Sequence, residues 1–334
     1  MDITDDDKKE LNEIFFPLGS KKHKDFIENN NNLVYYTTAE TAKNILRNQE
    51  LWMRNASVMN DFSEVRFALD RLRYLLYAPG DDSLLKLFVD DLDKTLSEIF
   101  KKCVNAFFNF DNGESTSWQY NTYITSFTYH ESKENNDGRL SMWRAYGGDK
   151  GVAIVFKKGF LFESLSDKNI FISPVAYFDE EELKNAIGEI ARLLKGKRSF
   201  LAETLQKDDG EQTLLNEFMW ALRFAVVSVK HPGFAEEKEW RLVANGIDLS
   251  KEKNCADFEL ENVKGYDQLV YKVKFSKEEM FDMIDSILIG PNADFGIRNI
   301  THKAFAKIIS DAFEVPIDKA EKKVKSSNIP YRPL

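Results

Sequence analysis

Short runs of β-branched and aromatic residues recur from the start of this chain to its end, separated by helix-length amphipathic blocks. Leu33 to Thr37, Leu51-Trp52-Met53, Tyr123 to Thr128, Val152 to Phe156, Phe171 to Tyr177, Trp240 to Ala244, Leu269 to Phe275 and Ile284 to Ile289 read as strands. Many of the links between them hold no single crossover helix, the connection that neighbouring parallel strands need. That argues against a doubly wound parallel sheet. The pattern predicts an α+β fold of bent, mostly antiparallel sheets with helical insertions.

The helical blocks follow from spacing. Thr37 and Glu40 have capping-box spacing, so a helix is expected over about 38–48, burying Ala42, Ile45 and Leu46. Val65, Leu69, Leu72, Leu75 and Leu76 line one helix face. Pro79-Gly80 stops that helix, and Ser83 opens another that carries Leu96, Ile99 and Val104. Asn60-Asp61 reads as the turn and cap before this block. Residues 62–110 are therefore expected as one insertion and 180–229, with helices at about 180–194 and 201–229, as another. Leu140–Tyr146 reads as a short helical piece and 297–312 as a last helix. Residues 1–32 are polar and read as a flexible lead-in. No Pro/Gly/Ser linker interrupts the rest, so 33–332 reads as one domain.

Composition removes several function classes. The chain has 334 residues, 43% hydrophobic and 30% charged, enough for a large core. Its net charge of −9 argues against non-specific nucleic-acid binding, which needs an electropositive footprint. Two cysteines, Cys103 and Cys255, form no spacing motif, so a reducing compartment is expected. The acidic N-terminus does not look like a secretion signal, and no apolar run approaches the ~20 residues that span a bilayer. A cytoplasmic protein without membrane partners is the expectation. His23, His130, His231 and His302 lie far from one another and from either cysteine, so no metal site is predicted. Neither a Rossmann nor a P-loop glycine motif is present.

Several ordered segments carry a resemblance. They are Tyr35-Tyr36-Thr37, Leu51-Trp52-Met53, Asn60 to Glu64, Ser126-Phe127, Met142 to Gly147, Lys230, Phe234, Glu237 to Leu242, Ile289-Gly290-Pro291 and Ser327 to Arg332. Over about residues 33–332 this resembles the bacterial domain-of-unknown-function family DUF2971, a family with no firm activity attached. A more distant resemblance is to ADP-ribosyltransferases, which hold NAD in a cleft between two bent sheets. Tyr36, Thr125-Ser126 and Glu237-Lys238-Glu239 stand where those enzymes place an early aromatic or basic residue, a Ser-bearing strand and a Glu-x-Glu. Tyr36 departs from the Arg of the arginine-modifying branch.

That likeness implies an α+β cleft, NAD as substrate, no metal, and ADP-ribosyl transfer or NAD hydrolysis. The macromolecular acceptor stays open, and so does a role as a bacterial toxin or phage-defence effector. Cleavage of the nicotinamide–ribose bond passes through an oxocarbenium-like state that a carboxylate stabilises. Glu239 takes that role, with Glu237 assisting. Two residues apart on a strand, the pair would share a face; the alternative is a solvated acidic strand end. Arg144 reads as a diphosphate ligand, and Trp143 or Tyr146 as a ring to stack on a base, or the segment is an aromatic core anchor. Tyr36 and Thr37 read as lining the nicotinamide pocket. Ser126 reads as bonding ribose or holding the carboxylates, and Arg241 and Arg332 as further anion ligands, each with a structural alternative. Two rival functions stand beside the enzyme. One is a nucleotide-binding sensor or interaction module that turns nothing over. The other is a metal-dependent nuclease, from the Glu-x-Lys of Glu236-Glu237-Lys238.

Overall fold

The computed structural model describes residues 2–29, 31–58, 62–77, 86, 89, 92, 94–108, 122–147, 150–157, 165, 170–245, 258–263, 265–291 and 294–330. The chain divides into two compact units, each assembled from three stretches. Met1–Lys24, Ser57–Tyr120 and Pro174–Phe234 make the first; Asp25–Ala56, Asn121–Ser173 and Ala235–Leu334 make the second. Because each unit is discontinuous, no single backbone cut separates them. Among the described residues the strands are β1 (Asn32–Thr38), β2 (Glu50–Asn55), β3 (Thr122–His130), β4 (Gly151–Phe156), β5 (Ile170–Pro174), β6 (Ala176–Tyr177), β7 (Val229–Lys230), β8 (Glu239–Asn245), β9 (Phe258–Val263), β10 (Tyr266–Lys274), β11 (Ile284–Ile289) and β12 (Val324–Ser326).

The first unit is mostly helical. Phe62–Tyr77, Lys94–Phe108, Glu180–Gly196, Arg198–Leu205 and Gly210–Val227 supply it, with β6 and β7 as a small parallel pair. Both blocks expected as helical insertions lie here. Pro79-Gly80, Ser83 and Asn60-Asp61 fall outside the described residues. The helix expected from Leu201 to Val229 is two helices. Asp209 adopts a left-handed conformation (φ 57°) between them. Gly210 backs so closely onto the chain that a Cβ there would sit 2.0 Å from the Thr204 carbonyl oxygen.

The first residues are not the flexible lead-in their polarity suggested. Asp5–Phe15 and Pro17–Glu28 are helices. Thr4 caps the first: its hydroxyl accepts from the Asp7 N–H, and the Asp7 carboxylate accepts from the Thr4 N–H. Leu11, Ile14 and Phe15 are buried, and Phe15 packs on Phe100 and Phe218 at 6.4 and 6.1 Å between ring centroids. The Lys207 ammonium donates to both Asp7 carboxylate oxygens at 2.6 Å and, with Thr4, pulls that carboxyl down to about 2. A tie across 200 positions lies beyond any local window of sequence. The lowered carboxyl stabilises the fold above its ordinary value of 3.8, and that contribution is lost as pH falls toward 2. Asp7→Asn is expected to speed proteolysis within 5–28 at neutral pH and to remove this acid dependence. Cleavage rates identical to wild type would show that Lys207 does not hold the helix.

The second unit is built on a mixed but mostly antiparallel sheet. The described strands run β12-β11-β4-β1-β3-β2-β10-β9, with β8 on the other edge of β3 and β5 on β8. β12 lies parallel to β11, an exception the sequence pattern did not show, and β9 was also missed. Helix Ala39–Asn48 is capped by Thr38, whose hydroxyl accepts from the Thr41 N–H, rather than by Thr37 as the spacing suggested. Alternation along the strands sorts the two faces. Leu33, Met53, Tyr123, Phe127, Val152, Ile154, Phe156, Trp240, Leu242 and Ile287 point into the main core, together with Ile45, Leu46, Phe305 and Ile309 from helices. Val34, Tyr36, Ala153, Val155 and Leu288 point the other way and pack with Met142 and Trp143. Among the described residues no helix is long and apolar enough to cross a membrane.

Candidate functional site

The second face becomes polar where β1, β3 and β8 meet. In β3 the alternation Thr122, Ile124, Ser126, Thr128, His130 runs opposite to the core residues Tyr123 and Phe127. Thr128 pairs with Val34 of β1 on one side and with Glu239 of β8 on the other, and Ser126 pairs with Arg241. Directly paired residues share a face, so Tyr36, Ser126, Thr128, His130, Glu239 and Arg241 form one strip. Such a strip is costly to bury, and it is buried. His130 is 0% exposed, Arg241 2% and Glu239 5%.

Glu239 and Arg241 form a two-point ion pair. The guanidinium Nε donates to Oε1 at 2.6 Å and Nη2 to Oε2 at 3.2 Å. The hydroxyl of Ser126, on the strand position paired with Arg241, is buried without a hydrogen-bond partner among the described residues. Tyr36 has its ring edge-on to Trp143 at 4.7 Å, and burial pushes its phenol up. Its hydroxyl accepts from the Arg139 backbone N–H at 2.7 Å and lies 2.7 Å from His130 Nε2. The phenol O–H therefore donates to Nε2, which places the imidazole hydrogen of neutral His130 on Nδ1. Burial lowers His130 to about 4; Glu134 and Asn135 oppose the shift, and Arg139 and Lys238 add to it. His130 is neutral near pH 7.

Other expected site residues are placed differently. Glu237 does not share a strand face with Glu239. It ends the 3₁₀ helix Pro232–Glu237, and Lys238 then turns the chain through a left-handed conformation (φ 42°) before β8 begins. Two-residue alternation cannot cross that turn. Glu237 stands half-buried, 3.5 Å from the Tyr146 hydroxyl. Trp143 is a core anchor: it is 1% exposed, its Nε1 donates to the Asp137 carbonyl at 3.0 Å, and Gly138, Gly147 and Gly290 crowd its ring. It is therefore closed to a stacking ligand. Arg144 and Tyr146 lie exposed on the adjoining π-helical turn, Trp143–Gly147, a form common at functional sites. Thr37 points to the opposite face from Tyr36. Arg332 lies outside the described residues, but Ser327 and Asn328 just before it bond Asp137. His231 makes a local bond, its Nδ1 accepting from the Gly233 N–H at 3.1 Å. Among the described residues no group of three His, Cys, Asp or Glu is placed to hold a metal ion.

Sequence reasoning missed Arg139 and Glu134 and set His130 aside for want of a metal partner. The readable signal was the polar alternation of β3, which ends at His130 on the same face as Ser126. Arg139 gave none, because the Tyr36 hydroxyl and the Glu236 and Glu237 carbonyls that it joins are distant in sequence.

Residues 142–242 match the family described as Protein of unknown function (DUF2971). The matched segment opens on Met142 and Trp143 and closes on Leu242, so it contains the π-helical turn, the Lys238 turn and the Glu239–Arg241 pair. The β1 and Ser327–Arg332 portions of the resemblance lie outside it. No curated protein and no solved structure matches the chain.

Proposed function

We propose that the polar strip of β1, β3 and β8 is a nucleotide site of an ADP-ribosyltransferase-like enzyme, with NAD as the substrate and Glu239 as the carboxylate facing the ribosyl cation. The observation that carries the reading is the buried Glu239–Arg241 pair beside the unpartnered Ser126 hydroxyl. A buried ion pair adds little stability over an apolar pair of the same volume, so its presence asks for a use. Arg241 holds the carboxylate in one orientation, as a transition-state stabiliser requires. Ser126 supplies a hydroxyl for a ribose oxygen. Tyr146 and Arg144, exposed on their turn, are the remaining candidates for ring and diphosphate contacts, and Tyr36 and Trp143 hold that turn to the sheet. The acceptor is a protein, nucleic acid, small molecule or water, and a toxin or phage-defence role fits such chemistry only by resemblance.

One observation favours the rival reading of a binding module without turnover: both Glu239 oxygens are already engaged by Arg241. Glu239→Gln separates the two. Purified protein is incubated with labelled NAD and a cell lysate, and nicotinamide release and label transfer are followed. Loss of the carboxylate is expected to lower turnover on the order of a hundredfold, with NAD affinity little changed. Background signal from both proteins, with no NAD binding by calorimetry, overturns the enzyme and its substrate together. NAD binding without turnover in wild type leaves the binding module.

A further inference from the structure

Arg139 ties together four separate pieces of the second unit. Its Nε and Nη2 donate to the two carboxylate oxygens of Glu134 at 2.9 and 2.8 Å. Nη2 also donates to the Tyr129 carbonyl at 2.9 Å, and Nη1 to the carbonyls of Glu236 and Glu237 at 2.9 and 3.3 Å. Its backbone N–H donates to the Tyr36 hydroxyl, which in turn lies against His130. The two carbonyls it grips close the 3₁₀ helix immediately before Lys238. Lys238 then passes through its left-handed conformation, and its own carbonyl accepts from the Tyr129 N–H at 2.8 Å. The next residue is Glu239. A bulky residue in that conformation holds only where its surroundings over-determine it. Arg139 supplies the restraint on one side, and the Lys238–Glu131 ion pair at 2.7 Å supplies it on the other.

We propose that Arg139 is the positioning residue of this site, fixing the Glu236–Lys238 turn that delivers Glu239 into the sheet, and that protonation of His130 releases that hold. The consequence for turnover rests on the reading of Glu239 given above; the positioning itself does not.

The charges around His130 give the switch its direction. Neutral His130 accepts the Tyr36 proton. A protonated imidazole presents a second donor to the Tyr36 oxygen and strands the phenol hydrogen in a buried site. It also brings a positive charge beside Arg139 and Lys238, which repel it, and beside Glu134, which attracts it. Burial raises Glu134, but Arg139, Glu131's backbone and His130 together hold it below its ordinary value, which favours its carboxylate form. Protonated His130 therefore competes with Arg139 for Glu134. Glu131 stays engaged with Lys238 and Lys133. Because His130 titrates lower in the fold than its ordinary value of 6.5, the network is unaffected above that pH and weakens as pH falls toward about 4.

Hydrogen exchange read by mass spectrometry on the full chain tests this. Wild type, Arg139→Gln, Arg139→Lys and His130→Gln are compared at about pH 7.5 and about pH 4.5, corrected for intrinsic exchange. Arg139→Gln is expected to raise exchange at 236–241 at least about tenfold, with the helix Phe295–Phe313 unchanged, and Arg139→Lys to restore part of the protection. Wild type is expected to show a rise in the same segment on acidification, smaller than in Arg139→Gln because His130 is then only partly protonated, and His130→Gln to lack it. Wild-type protection at 236–241 in Arg139→Gln overturns the proposal, and so does an undiminished acid response in His130→Gln. If Arg139→Gln loses protection throughout, Arg139→Lys and the acid response of His130→Gln decide by the same criteria. Absence of nicotinamide release in wild type sinks the enzyme reading alone and leaves these exchange outcomes standing.

Discussion

Arg241→Ala is expected to cost the second unit roughly 3–5 kcal/mol. The cause is not loss of an attraction. Glu239 is only 5% exposed, and removal of the guanidinium leaves its carboxylate buried without the partner that takes both oxygens. Urea unfolding followed by tryptophan fluorescence reads the effect, since Trp240 lies between the two residues in β8. A midpoint corresponding to less than about 1 kcal/mol of loss shows that water reaches Glu239 and removes the premise of a desolvated site. The double change Glu239→Leu with Arg241→Met then asks why the pair is there. Replacing a buried ion pair by apolar side chains of similar volume is often neutral or stabilising, so the double variant is expected to recover most of the loss. Recovered stability with no nicotinamide release places the value of the pair in function. Failure to recover places it in the architecture.

How far the sequence foretold this arrangement depends on whether the physical cause was local. Alternation in β3 and β8 was local. It put Tyr123, Phe127, Trp240 and Leu242 on the core face and left Ser126, Glu239 and Arg241 together on the other. The antiparallel sheet and the buried stripe of the helix Ala39–Asn48 were readable for the same reason. Glu237 was misplaced because a single left-handed residue, Lys238, ends the 3₁₀ helix between the two carboxylates, and nothing in a lysine announces that conformation. Arg139 was unreadable because the groups that define it, Tyr36 and the carbonyls of Glu236 and Glu237, lie 97 to 103 positions away. The N-terminal helices were hidden likewise. A capping box and the apolar Leu11, Ile14 and Phe15 marked the first, but the contacts that hold it come from Phe100, Phe218 and Lys207. For Trp143 the sequence leaves both a stacking ring and a core anchor open, and the three glycines around its ring decide for tight packing.

Trp143→Ala is expected to destabilise the second unit by about 3–5 kcal/mol, the usual range for deleting a buried tryptophan. Its ring fills the space among Tyr36, Gly138, Gly147 and Gly290, and its indole N–H satisfies the Asp137 carbonyl. The glycines make the fit specific. A Cβ at Gly138 would lie 2.6 Å from Nε1, and that residue also has φ 76°, where a side chain is strained. Gly138→Ala is therefore expected to destabilise in wild type and to do so less in the Trp143→Ala background, because the clash with the indole vanishes while the backbone strain remains. Urea unfolding of the four proteins completes the cycle. Equal costs of Gly138→Ala in both backgrounds would mean that the indole does not pack on Gly138. The same deletion unseats Tyr36, whose ring rests edge-on against the indole and whose hydroxyl joins Arg139 to His130. Trp143→Ala should thus also raise hydrogen exchange at 236–241 more than at the β11–β12 pair, because the loss passes through Tyr36 to the turn that carries Glu239.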